Sequence, residues 1–171
     1  MPERGPDMKK RTRRRMPREV NPLGGLAAIA AARPVDKERR DRLMLKFRSA
    51  LESMVRGAAP DTDDWRLISD VINTIETLSE HMRKLPVDQT KTLLDAAVQG
   101  MVAAAQRWQA GQGMRLDGPA LQAIRSLMDI YEQCLELLSE REMGAARDET
   151  QRRLNEIYRR GGAPGQDVVI L

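Results

Sequence analysis

Six cations in seven residues, Lys9-Lys10-Arg11-Thr12-Arg13-Arg14-Arg15, form the densest group of chemistry-bearing side chains in the sequence, and Arg18 follows three residues on. Cations at this density attract phosphates, because binding releases the counterions condensed on a nucleic acid. They read no base sequence by themselves. Lys9, Lys10, Arg11, Arg13, Arg14, Arg15 and Arg18 are therefore the candidate nucleic-acid-binding residues, with the phosphate backbone of DNA or RNA as partner. The plainer reading is a solubility segment. Starting the chain at Met8 instead would keep the cluster.

A second candidate lies at the other end. Val168-Val169-Ile170-Leu171 follows the linker Gly161-Gly162-Ala163-Pro164-Gly165. Four apolar residues of this kind could add as a strand to the sheet edge of a protein partner. They could equally fold back onto the body or stay exposed.

The remaining residue types exclude more chemistry than they offer. His81 is the single histidine and has no Cys or paired carboxylate at ligand spacing, so no metal centre is expected. One histidine also leaves no Ser/His/Asp set unless His81 is the base, and no nucleophile elbow accompanies it. Cys134, the single cysteine, sits on an apolar stripe with Tyr131 and Leu138, the setting of a structural thiol rather than a nucleophile. Gly24-Gly25 and Gly111-Gln112-Gly113 lack the Lys-Ser/Thr of a phosphate loop. Glu132, Glu136 and Glu140 form an acidic row at helical spacing, read as a solvated face. No cofactor is expected, and the sequence reads as non-enzymatic.

Charge is unevenly spread. The chain of 171 residues carries a formal +4, yet residues 1–18 hold eight cations against Glu3 and Asp7, a local +6 that leaves −2 for the rest. A polyanion-seeking segment on a mildly acidic scaffold follows. One cysteine allows no internal disulfide and fits a reducing, cytoplasmic setting. The apolar run Leu23–Ala32 is far short of the roughly 20 residues a membrane span needs. The basic run before it is too long, and the apolar part too weak, for an export signal.

These side chains must be positioned by helices. Aromatics are 3% of the chain, so the core is built from Leu, Ile, Val, Met and Ala. Residues 1–22 contain four prolines and little to bury, and are expected to be a disordered basic N-terminal arm. Leu23–Ala32 can form a short helix ended by Pro34. The next helix is expected from the N-cap Asp36 to about Arg56, with Leu43, Phe47, Ala50, Leu51 and Met54 inward. A third opens in Pro60–Asp64 and buries Trp65, Ile68, Val71, Ile72, Ile75, Leu78 and Met82. A fourth runs from about Asp88 to Ala110, with Leu94, Ala97, Met101, Ala104 and Trp108 inward.

The last opens at the cap Asp117 and buries Ile124, Leu127, Met128, Tyr131, Cys134 and Leu135. If it continued to Arg160 it would have about 40 residues and a length of about 60 Å. The alternative is a break near Gly144 and a helix packed back. An exposed apolar stripe over 143–158 would favour a homo-oligomer. The expected fold is all-α: an antiparallel four- to five-helix bundle with a long C-terminal helix. The expected organisation is a basic arm at 1–22, a helical domain at 23–160 and a flexible tail at 161–171.

The chain also resembles small uncharacterised helical proteins encoded by phages, prophages and other mobile elements of proteobacteria. The likeness rests on Lys9–Arg15, Asn21-Pro22, the helix ending in Gly57, Asp64-Trp65 opening a helix with Leu67 and Asn73, and the Gly113 to Asp117-Gly118 segment. It spans roughly residues 8–145 and implies an accessory or regulatory, non-enzymatic protein. It transfers no functional residue. Two function classes stand: association with nucleic acid through the arm, or protein–protein interaction through the last helix and the Val168–Leu171 tail.

Overall fold

The computed structural model describes residues 32–56 and 62–160, all of its regular structure helical. The arm, the Leu23–Ala32 helix up to residue 31, the Gly57 stop and the Val168–Leu171 tail lie outside the described residues.

Helix α1, Lys37–Arg56, begins where Asp36 caps it. The Asp36 carboxylate accepts from the Arg39 backbone N–H at 3.0 Å, which satisfies one of the orphan donors of the first turn. Met44, Phe47, Ala50, Leu51 and Met54 face inward at helical spacing. Helix α2, Thr62–Glu76, starts on the carboxylates Asp63 and Asp64, which suit the positive end of its dipole. It buries Trp65, Ile68, Val71, Ile72 and Ile75.

Helix α2 then widens into a π-helical segment, Thr77–His81. The Met82 N–H reaches back five residues to the Thr77 carbonyl at 3.0 Å, and the Lys84 N–H reaches the Leu78 carbonyl at 2.8 Å. Between them Arg83 adopts φ +49°, a left-handed conformation usually left to glycine.

Helix α3, Val87–Gln109, and helix α4, Gly118–Leu137, share the most extensive helix–helix contact. Gly100 makes this approach feasible: a Cβ there would lie 2.0 Å from the Cβ of Ala120. The carboxylate of Asp117 accepts from the Ala120 N–H at 2.9 Å and caps α4 as the sequence leads one to expect. Gly111 and Gly113, with φ of +73° and +80°, turn the chain between the two helices.

The expected long C-terminal helix is two helices. Leu138 takes an extended conformation at ψ 146°, and α5, Glu140–Arg159, starts afresh. The break is at Ser139, not near Gly144, and it has a physical cause. Ser139 and Glu142 form a reciprocal capping box: each side chain accepts from the other residue's backbone N–H, at 3.3 Å and 3.0 Å. The Glu140 N–H is taken by the Arg33 carbonyl at 2.8 Å, and Pro34 bridges to Ser139.

Helix α5 packs back on α2, the π segment and α4. Its apolar positions are spent in doing so: Met143 and Ala146 are buried, and Leu154 and Ile157 are half-buried. The exposed stripe over 143–158 that would favour a homo-oligomer is therefore not formed.

One hydrophobic cluster unites all five helices. Ile72 and Leu127 lie at its centre. Phe47 and Tyr131 meet edge to face, with ring centroids 5.4 Å apart. Trp108 is a correction: it is 47% exposed. Gly100 faces the first turn of α4, so the last turns of α3 run past the start of that helix.

Candidate functional site

Of the residues expected to contact a partner, only those of the last helix lie in the described structure, as α5. Lys9, Lys10, Arg11, Arg13, Arg14, Arg15 and Arg18 fall outside it, as do Val168, Val169, Ile170 and Leu171. The described residues instead show how the body disposes of its own charge.

Helix α1 is rich in arginine, and three of its arginines are met by an acidic row that runs from α4 to the first residue of α5. Arg48 pairs with Glu132 at 2.8 Å, Arg40 with Glu136 at 3.3 Å, and Arg39 with Glu140 at 2.7 Å. Arg125 of α4 reaches Glu52 of α1 at 3.8 Å. Residue numbers fall along the acidic row as they rise along α1, so α1 and α4 run antiparallel. The Glu132–Glu136–Glu140 row stays partly solvent-exposed and also forms a cross-helix ion-pair ladder. Such exposed pairs contribute about 0–1 kcal/mol each. They engage three of the seven cations of α1.

Two clefts open between helices. The first, about 230 Å³, lies among α2, the π segment, α3 and α5. Two ion pairs stand on its walls: Glu76 pairs with Arg153 at 3.1 Å and Asp95 with Lys91 at 3.4 Å. The second, about 320 Å³, lies among α1, α2, α4 and α5. Leu43, Phe47, Leu67 and Leu154 give it an apolar lining, and Lys46, Asp70 and Arg147 stand around it. Arg147 donates to the phenol oxygen of Tyr131 at 3.1 Å. The walls of the cleft crowd the Asp70 carboxyl, and this desolvation raises its pKa against the opposing pull of Arg147 and then Arg66.

His81 is exposed at the end of the π segment. Cys134 is buried among apolar side chains, and burial pushes its thiol up to about 11. It stays protonated at neutral pH, which suits packing rather than nucleophilic attack. Among the described residues no group of three or more His, Cys, Asp or Glu side chains could hold a metal ion, and no helix is long and apolar enough to cross a membrane. Trp108 and Tyr158 are the exposed aromatics among the described residues.

No protein-family model, no curated protein and no solved structure matches the chain.

Proposed function

We propose that this chain is a non-enzymatic accessory or regulatory protein of the cytoplasm that associates with nucleic acid through Lys9–Arg18, with its helices arranged as an antiparallel bundle that carries this segment. The observation behind the reading is a contrast in charge. Six of seven residues from Lys9 to Arg15 are cationic with no acid among them, whereas Arg39, Arg40 and Arg48 of α1 pair with Glu140, Glu136 and Glu132. Positive charge is densest in this one short stretch, the arrangement that gives strong, salt-sensitive and sequence-independent attraction to phosphates.

The test is a chain in which Lys9, Lys10, Arg11, Arg13, Arg14, Arg15 and Arg18 are all changed to Gln. Loss of binding to labelled duplex DNA and labelled RNA, with an unchanged helical circular dichroism spectrum, supports the proposal. Undiminished binding rejects the assignment of these residues.

A further inference from the structure

We propose that the cleft between α1, α2, α4 and α5 binds a small amphipathic monocarboxylate carrying a hydrogen-bond donor next to its carboxyl group, hydrophobic amino acids being the simplest members of that class. The inference is independent of the nucleic-acid reading.

Three observations carry it. The cleft has a volume of about 320 Å³, within the range that holds small ligands. Its apolar lining comes from three separate helices: Leu43 and Phe47 from α1, Leu67 from α2 and Leu154 from α5. Its charged rim is not closed by ion pairs: Lys46, Asp70 and Arg147 form none among the described residues, although twelve such pairs form elsewhere among them.

The chemistry of that rim defines the ligand. Two cations against one carboxylate leave one net positive charge, which matches a monoanionic head group. Arg147 is the better oriented cation, because its guanidinium is held by the Tyr131 hydroxyl. A planar guanidinium can take a carboxylate through two parallel hydrogen bonds. Lys46 adds a point charge on the α1 side. Asp70 would repel a bare carboxylate, so it favours a ligand with an amine or hydroxyl nearby to donate to it. The apolar lining then takes an aliphatic or aromatic body, whose burial supplies the non-directional part of the affinity.

The full chain is titrated with L-leucine and L-phenylalanine and followed by amide chemical shifts. Two relatives of leucine separate the contacts: 4-methylpentanoate lacks the amine, and leucinamide lacks the carboxylate. The expected result is saturable binding of at least one amino acid, with shifts centred on residues 43–47, 67–74 and 147–154. Both relatives should bind about tenfold more weakly or worse, the loss expected for one missing polar contact.

Lys46→Gln and Asp70→Asn, both at exposed positions, should weaken amino-acid binding without lowering Tm. Asp70→Asn should also reduce the preference for leucine over 4-methylpentanoate. Either of two results overturns the proposal: no saturation by either amino acid at about 10 mM, or affinities left unchanged by both substitutions.

Discussion

The Oγ1 of Thr77 and the Oγ1 of Thr150 lie 2.7 Å apart in the core, joining the π-helical segment to α5 across 73 residues of sequence. Thr77 also reaches the Asn73 carbonyl at 3.0 Å, and Thr150 the Ala146 carbonyl at 2.9 Å. The Arg153–Glu76 ion pair sits beside them. The widened turn of the π segment therefore places a polar group where α5 can meet it.

Removing one hydroxyl of this buried pair deletes a hydrogen bond worth about 0.5–1.5 kcal/mol, while the other hydroxyl keeps its backbone carbonyl partner. Thr150→Val keeps the shape and removes the hydroxyl, so it should lower stability by that amount in denaturant unfolding. Double substitution with Thr77→Val should cost less than the sum of the two single changes. Strict additivity would show that the two hydroxyls do not depend on each other.

Gly100→Ala tests the α3–α4 approach. In an exposed helix the change would stabilise by about 1 kcal/mol. Here the new methyl would meet the Ala120 Cβ at 2.0 Å, so one helix must move, and overpacking of this kind costs about 1–3 kcal/mol. A lower Tm is expected; a higher one would mean that the helices stand further apart.

The junction at Ser139 should respond to acid. Glu142 accepts from the Lys84 ammonium at 2.8 Å and from the Ser139 N–H and hydroxyl, which lowers its pKa from 4.5 to about 2. A lowered carboxylate pKa contributes stability that is present above the unfolded value and lost as pH falls through the folded one. The stabilising effect of Glu142 should therefore disappear between pH 4.5 and about 2. Glu142→Gln should destabilise at pH 7 and have progressively less effect toward pH 2. The contribution is modest because the side chain is 36% exposed. Ser139→Ala, which removes the cap itself, should cost about 1 kcal/mol.

Ser69 lies on the buried face of α2, and its hydroxyl has no hydrogen-bond partner among the described residues. Burying an unpaired hydroxyl is unfavourable, and alanine is the better helix former. Ser69→Ala should raise stability by about 1 kcal/mol, read as a higher denaturant midpoint with the same m-value.

Much of the fold was legible because local signals agreed. Asp36 and Asp117 cap helices where their chemistry predicts, and the stripes around Ile72 and Leu127 are the buried faces. The break at Ser139 was hidden by an apolar period that runs on through Leu135 and Leu138, although Ser139-x-x-Glu142 is itself a capping signature. The π segment has no such signature, because tertiary pairing of Thr77 with Thr150 accompanies it. The pairing of the Glu132–Glu136–Glu140 row was hidden because its arginine partners lie far away in sequence and depend on the register of two helices. The cleft bordered by Lys46, Asp70 and Arg147 draws on four helices, and no linear motif marks such a site.

The most direct test of the nucleic-acid reading compares full-length protein with a chain lacking residues 1–18, each titrated against labelled duplex DNA across a salt series. Neutralising up to seven phosphates gives a log–log slope approaching about −6, so the affinity of full-length protein should fall by up to about 4 × 10³-fold between roughly 50 and 200 mM salt. The shortened chain should keep its Tm and lose binding. Equal binding by the two chains, or no binding by full-length protein near roughly 150 mM salt, would contradict the account.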